Sequence, residues 1–142
     1  MNDKIIEIIN NPKKISGKRK EKLTDKLLVI ARDGFGTEMI REDVAEHAFG
    51  GDALYLMSIE CQLAGFASYN FLKYGQANIL HLNGIAVRRN LQKNGTFRQL
   101  NKLALDSGNF DFLTMRTQNP VVYEASKDLV LALYPWRIIS VV

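Results

Sequence analysis

The stretch from Leu82 to Leu100 constrains the fold of this chain most, because it reads as a strand, a basic turn and a helix in immediate succession. Apolar residues have the tight spacing of a strand up to Val87 and helical spacing from Phe97 onward. The change of period falls between Arg88 and Gly95. A helix is therefore predicted to begin at that junction.

The basic turn has the chemistry of an anion site. The first turn of a helix carries N–H groups without partners and the positive end of the helix dipole, and a glycine lets an anion approach the backbone. A plain strand-to-helix connection is the alternative, and the order of elements along the chain favours the functional interpretation. Positive side chains surround the turn at Arg88, Arg89, Lys93 and Arg98.

The segment Gln92-Lys93-Asn94-Gly95-Thr96-Phe97 resembles the Q/R-x-x-G-x-G/A motif of the GNAT superfamily of acyl-CoA-dependent N-acyltransferases. Gln92 and Gly95 match this motif. Phe97 stands where the family has a small residue, and a bulky side chain there can narrow the pyrophosphate site. The resemblance implies that acetyl-CoA is the cosubstrate, with Ile85 and Val87 along its pantetheine arm and its phosphates at Gln92, Lys93, Asn94, Gly95, Thr96, Phe97 and Arg98.

The chain has 142 residues, of which 46% are hydrophobic, so it is long enough to bury one core, and residues 1–142 are expected to form a single domain. Its one cysteine, Cys61, cannot form an internal disulfide. No run approaches the roughly 18 apolar residues of a membrane span, and the first residues lack the layout of a secretion signal. We therefore expect a cytoplasmic protein without a membrane partner.

The net charge of +4 suits an anionic partner, which charge alone does not identify as nucleic acid or as a phosphorylated cofactor. Aromatic residues are not interleaved with the N-terminal lysines, and no nucleic-acid-reading motif is recognised, so no nucleic acid is expected. A solvated helix start explains the cluster of positive residues at Lys13, Lys14, Lys18, Arg19, Lys20 and Lys22.

The first part of the chain predicts a strand and a helix. The β-branched residues from Lys4 to Ile9, closed by Asn10-Asn11-Pro12, predict a strand, with a short helix as the alternative. Apolar residues at helical spacing predict an amphipathic helix from about Lys18 to Arg32, and Gly34 is placed to end it.

A second, shorter helix is predicted to follow. Thr37 is the expected cap, and Gly50-Gly51 is expected to stop the helix. His47 lies beside its apolar stripe and is interpreted as structural. The stripe is formed by Ile40, Val44 and Ala48.

The middle of the chain predicts three strands. Ala53–Ile59 and Leu63–Leu72 read as a hairpin, although its turn lacks the Asn-Gly or Asp-Gly pair that would favour one. Lys73–Gln76 then turns the chain into a strand at Ala77–Val87. Asn83-Gly84 interrupts that strand and indicates a bulge, and the GNAT resemblance implies a splay there that admits the pantetheine arm.

After the helix that begins near Gly95, Phe110–Met115 is a compact apolar strand of the buried kind, which implies a parallel neighbour. Asn119-Pro120 is a good helix start, and Trp136–Val142 can supply a last strand. The predicted class is α/β with a mixed sheet, in the order β-α-α-β-β-β-α-β-α-β.

This order is similar to that of the GNAT fold up to its sixth strand, and a seventh strand is missing. An open sheet edge beside an apolar tail favours association. We therefore expect a homodimer through the C-terminal segment, as one of the ways in which that edge is covered.

Transfer from a thioester to an amine needs a base for the ammonium proton, donors for the thioester carbonyl and an acid for the leaving thiolate. His81 lies six residues before Val87, where some GNAT members carry a strand-borne glutamate base. An imidazole titrates near neutral pH, which suits the base. A half-buried strand histidine with a backbone partner is the alternative.

Tyr123 is the candidate acid. The family tyrosine usually lies seven residues after the asparagine that begins the fourth helix, and Ser126 occupies that position here. Tyr123 lies one turn earlier, with packing as the alternative role. Asn119 matches the family asparagine near the cofactor, and helix capping also explains it.

No Cys/His cluster has metal-ligand spacing, and no G-x-S-x-G elbow occurs, so we expect neither a metal nor a serine nucleophile. The first hypothesis is an N-acetyltransferase that acts on a primary amine of an unidentified acceptor. The second is a catalytically silent protein of the same fold that binds acyl-CoA or a partner chain. Phe97, Ser126 and the missing strand favour the second.

Overall fold

The computed structural model describes residues 4–92 and 95–116. The elements in this part of the chain confirm the predicted order from the first strand to the fifth. The fourth helix, expected from Asn119, and the strand expected at Trp136–Val142 lie outside the described residues. The elements are β1 (Lys4–Asn10), α1 (Gly17–Phe35), α2 (Arg41–Phe49), β2 (Ala53–Ile59), β3 (Gln62–Tyr74), β4 (Ala77–Val87), α3 (Thr96–Asp106) and β5 (Phe112–Met115).

The five strands form one mixed sheet in the order β1-β2-β3-β4-β5. Neighbours are antiparallel from β1 to β4, whereas β5 runs parallel to β4. A parallel pair needs a crossover connection, and α3 supplies it. The α/β class with a mixed sheet and the parallel neighbour of the fifth strand are therefore confirmed.

Each face of the sheet has its own apolar core. Leu54 and Leu56 of β2 point to the face covered by α1 and α2, and Tyr55 and Met57 point to the face covered by α3. Alternate residues of a strand face opposite sides, so β2 serves both cores.

The interruption predicted at Asn83-Gly84 is a bulge. Ser68 of β3 pairs with Gly84 and Tyr69 pairs with Leu82, which leaves Asn83 as an extra residue in β4. One extra residue shifts the alternation of side chains by one. Leu82 consequently lies in the α3-side core, and Ala86 lies in the core under α1 and α2.

Gly34 does not end α1, contrary to the sequence prediction. The helix continues to Phe35 and is capped by Gly36, whose φ of 126° is open to glycine and rarely adopted by other residues. A Cβ at Gly34 would lie 2.8 Å from the carbonyl oxygen of Val87. Gly34 therefore lets α1 pack directly on the end of β4.

The second helix starts later than predicted. Thr37 lies in a turn in which the N–H of Met39 donates to the carbonyl of Gly36, and α2 begins at Arg41 without a side-chain cap. Ile40 precedes the helix and is 55% exposed, so it is not part of the buried stripe. Gly50 caps the other end, as predicted.

Two strand turns are tighter than predicted, and β3 is correspondingly longer. Glu60 and Cys61 form the β2–β3 turn, and both have positive φ, at 51° and 66°. The second turn is only Gly75-Gln76, so Lys73 and Tyr74 belong to β3. Two residues with positive φ are what a type I′ hairpin turn requires.

Two predictions near the end of the described chain need correction. The helical spacing from Phe97 onward predicts Leu103 on the apolar face of α3, but Leu103 is 38% exposed. Asn101 lies buried on the inner face of α3 instead, where its Oδ1 accepts a hydrogen bond from the Tyr69 hydroxyl. The fifth strand, β5, begins at Phe112 rather than at Phe110, and Phe112 is 54% exposed. That strand is therefore less buried than its apolar sequence predicts.

The β2–β3 turn yields a stability prediction. Replacing Glu60 by Asn and Cys61 by Gly should raise the free energy of unfolding by about 1 kcal/mol, because both residues tolerate the left-handed conformation better. Urea unfolding of the double variant measures the change. An unchanged or lower midpoint would mean that contacts of the Glu60 or Cys61 side chains offset the strain.

Candidate functional site

The bulge lies where β4 and β5 separate. The two strands pair only from Ile79 to Leu82 of β4, opposite Phe112–Met115. From Asn83 to Val87, β4 has no strand on that side among the residues that the structure describes. This open stretch of β4 can accept an extended ligand as an added strand.

A cavity of about 650 Å³ opens beside this stretch. The helices α1 and α2, with the segment that joins them, contribute to its walls together with β3, β4 and β5. The lining is mainly apolar, as at Phe35, Met39 and Phe66. Four polar or charged side chains of the described residues also reach it, namely Asp43, His47, Asn83 and Arg116.

His47 occupies the part of the cavity next to the bulge. Its ring packs on Gly84, where an added Cβ would lie 3.7 Å from the His47 Cδ2 atom. The Nδ1 atom of His47 lies 2.8 Å from the backbone carbonyl oxygen of Asp43, one helical turn earlier. His47 is solvent-exposed and lines the cavity, and its interpretation as structural stays a prediction.

The end of β4 is tied to α1 and to the turn that follows. The Gln92 side chain turns back, and its Nε2 donates to the carbonyl of Val87 over 3.1 Å. The N–H of Arg89 donates to the Asp33 carboxylate, and Nε of Arg88 donates to the carbonyl of Leu63. Arg88 is therefore held by β3 rather than being a mobile charge of the turn.

The start of α3 has the geometry of an anion site. Gly95 precedes the helix with a φ of 77°, and a Cβ there would meet nothing within 4 Å. The N–H of Gln99 donates to the carbonyl of Gly95, so the N–H groups of Thr96 and Phe97 have no partner within the helix. Phe97 is 9% exposed and its ring lies in the α3-side core, away from solvent.

Neither metal-binding nor membrane-spanning features occur in the described part of the chain. Within residues 4–92 and 95–116, no three His, Cys, Asp or Glu side chains are grouped so that they could hold a metal ion. No helix in the same residues combines the length and the apolar content that crossing a membrane requires.

No protein-family model matches the chain, and a search of curated proteins finds no match either. Solved structures do match. The aminoglycoside N-acetyltransferase AAC(6')-Iy with a CoA bisubstrate analogue is 14% identical with a TM-score of 0.59, over 95% of this chain and 99% of that one. The ribosomal-protein-alanine N-acetyltransferase of Brucella melitensis is 14% identical with a TM-score of 0.61, over 94% of each chain.

A GNAT family acetyltransferase of Staphylococcus aureus is similar to the same extent, with 15% identity and a TM-score of 0.61, over 94% of this chain and 96% of that one. The chain has the GNAT fold. In this GNAT fold the strand with the bulge lines the cavity, and α3 is the next helix after that strand along the chain.

The GNAT fold brings some of the predicted site residues together and leaves others apart. Ile85 lines the cavity, whereas Val87 is buried at the end of β4 with its carbonyl bonded to Gln92. Thr96 is fully buried in the first turn of α3, and Arg98 is exposed there. Predicted site residues outside the described residues are Lys93, Asn94, Asn119 and Tyr123.

His81 lies one strand position before Leu82, and among the described residues it is not part of the cavity lining. Its Nδ1 atom lies 2.7 Å from the hydroxyl oxygen of Thr114 on β5. Burial lowers the pKa of His81, and the positive charge of Arg116 lowers it further. His81 has a side-chain partner on β5, where the alternative sequence interpretation expected a backbone partner.

His81 gives the fold a pH dependence that can be measured. Its pKa is lower in the folded state, so between the folded and unfolded pKa values the unfolded chain binds more protons. The stability from His81 is thus fully present above the unfolded pKa and is lost as pH falls through the folded pKa. Arg116→Gln should raise the pKa of His81 only part of the way to its ordinary value, because burial is the larger cause of the lowered pKa.

An NMR titration of the His81 ring protons in the parent and in Arg116→Gln measures the pKa of His81 and its change. Unfolding midpoints between about pH 8 and about pH 5 follow the stability. A His81 pKa above the ordinary imidazole value, or no change in Arg116→Gln, would contradict the assignment of causes.

Proposed function

We propose that this protein transfers an acetyl group from acetyl-CoA to a primary amine. The observation that carries the proposal is that the stretch of β4 beyond its pairing with β5 lines the cavity, and that α3 is the next helix along the chain. The structural neighbours support it, since AAC(6')-Iy is an aminoglycoside N-acetyltransferase and its structure contains a CoA bisubstrate analogue.

In this proposal the cosubstrate lies along the open stretch of β4. The pantetheine arm pairs with the backbone of Ile85 and Val87 like an added strand. The pyrophosphate lies at the start of α3, where Gly95 leaves open space and the N–H groups of Thr96 and Phe97 have no partner within the helix. Arg98 and Lys93 supply positive charge.

The acceptor amine enters the cavity between α1, α2 and the sheet. Its apolar walls suit the carbon skeleton of an acceptor, and the Asp43 carboxylate attracts an ammonium group. The thiolate that leaves must be protonated, and Tyr123 is the proposed acid. Asn119 is proposed to lie near the cofactor.

Gly95 tests where the cofactor binds. Gly95→Val should weaken acetyl-CoA binding by about tenfold or more, because a β-branched residue resists the left-handed conformation and covers the N–H groups. Gly95→Asn should bind nearly as well as the parent, since asparagine tolerates positive φ. Isothermal titration with acetyl-CoA measures both.

Gly75→Val is the matched control for this test. Gly75 also has positive φ, at 59°, and open space around its Cβ position, but it lies at the opposite end of β4. Gly75→Val should therefore lower the free energy of unfolding by a similar amount without changing the affinity for acetyl-CoA. Unchanged affinity in a folded Gly95→Val protein, or an equal loss in both variants, would remove the start of α3 from the cofactor site.

Thiol release separates the enzyme from a silent protein of the same fold. The protein is mixed with acetyl-CoA and, in turn, with spermidine, with an aminoglycoside and with a peptide that has an N-terminal alanine. An enzyme should release CoA thiol faster with at least one amine than without any. A silent binder should show a rise in the unfolding midpoint with acetyl-CoA and no amine-dependent thiol.

A further inference from the structure

We propose that His47, rather than His81, is the general base of the transfer and takes a proton from the acceptor amine at its Nε2 atom. The inference rests on the proposed function. It is carried by three observations on described residues: the side-chain partner of His47, its contact with the bulge, and its position in the cavity lining.

The hydrogen bond of His47 selects the ring tautomer. A backbone carbonyl can only accept, so the Nδ1 atom that lies 2.8 Å from the Asp43 oxygen must carry the proton. In the neutral ring the lone pair then belongs to Nε2. The helix α2 thus holds the ring by one nitrogen and leaves the other able to accept a proton.

The His47 side chain lies beside the bulge. A Cβ placed on Gly84 would lie 3.5 Å from the Cβ of His47 and 3.7 Å from its Cδ2. Cδ2 is therefore the ring atom nearest to that Cβ position, and Nε2 is bonded to it. This is the place where the proposed thioester leaves β4 and meets the acceptor.

Among the described residues, two other charged residues line the cavity with His47. Asp43 precedes it by one turn on α2, and Arg116 reaches the cavity from the end of β5. The described residues that α1 and β3 contribute to the lining are Ala31, Phe35 and Phe66, which carry no charge. The Asp43 carboxylate therefore attracts the ammonium form of the acceptor to the cavity, where Nε2 of His47 accepts the proton.

His81 is less suited to the same role. It is half-buried, its Nδ1 is engaged by Thr114, and it is not part of the cavity lining among the described residues. A base must come within hydrogen-bond reach of the proton that it removes. His47 meets this condition for an amine in the cavity, whereas His81 faces β5.

The proton balance is complete without a further reactant. Nε2 of His47 takes one proton from the ammonium group and becomes part of an imidazolium, which the exposed ring later returns to water. The neutral amine attacks the thioester carbon, a C–N bond forms and the C–S bond breaks. The second proton of the amine ends on the leaving thiolate, so the products are the amide and CoA thiol.

Turnover of His47 variants tests the inference. His47→Gln and His47→Ala should lower kcat about 10²-fold with the best of the three probe amines, while acetyl-CoA affinity stays unchanged. The rise of kcat/KM with pH through the imidazole range should disappear in both variants. Added imidazole should restore part of the rate of His47→Ala.

Glu46→Gln is the matched control, because Glu46 is an exposed neighbour on α2 and does not line the cavity. It should keep the parent kcat and pH profile. His81→Ala is the rival variant. Parent turnover in the His47 variants together with a loss in His81→Ala would overturn the proposal and assign the base to His81.

A second measurement does not depend on turnover. Nitrogen-15 NMR of the ring should show the Nδ1–H tautomer for His47 at pH values where the ring is neutral. A dominant Nε2–H tautomer would overturn the proposal. A parent protein that binds acetyl-CoA but releases no thiol with any probe amine would overturn the transfer itself, whereas parent-like kinetics in the His47 variants would overturn only the role of His47.

Discussion

One extra residue in β4 sets the geometry on which the candidate site depends. Asn83 has no pairing partner on β3, and its Oδ1 accepts a hydrogen bond from Nδ2 of Asn70. Because of this residue the side chains of β4 change faces, so that Leu82 and Ala86 pack into different cores. The same bulge lies where β4 loses its pairing with β5. The change of side-chain faces along β4 and the loss of its pairing with β5 therefore begin at the same place, directly after Leu82.

The turn after β4 is held from two sides, which fixes the start of α3 relative to the open edge. Asp33 and Gly34 near the end of α1 contact it through the Arg89 N–H and the Val87 carbonyl. Gln92 binds the same carbonyl. The Gln92 side chain thus ties the turn back to the end of β4.

Local patterns in the sequence were sufficient to predict much of the fold. The change of period before Phe97 and the Asn83-Gly84 pair predicted the start of α3 and the bulge, because both depend on residues close in the chain. Gly34 was misread because a glycine in a helix can end it or permit a close contact. The close contact with Val87, which lies far along the chain, decides between these two roles for Gly34.

The two histidines illustrate the same limit for the site. His81 was favoured from its distance to Val87 along one strand, yet its face depends on the bulge, and its partner Thr114 comes from β5. His47 reaches the cavity only because α2 crosses β4 at Gly84, a contact between residues 37 positions apart. A helical pattern identifies the buried stripe of α2, but it does not indicate which strand lies beside the flank of that stripe.

Buried polar atoms show where stability is given up in this fold. Among the described residues, three buried side-chain atoms have no hydrogen-bond partner: Ser68 Oγ, Thr96 Oγ1 and Asn101 Nδ2. Ser68 lies opposite Gly84 at the bulge, and the other two belong to α3. Each unmet group costs about 1–3 kcal/mol, which the two apolar cores must offset. Such costs are expected where the shape of a region serves binding rather than stability, and here they coincide with the elements that form the proposed cofactor site.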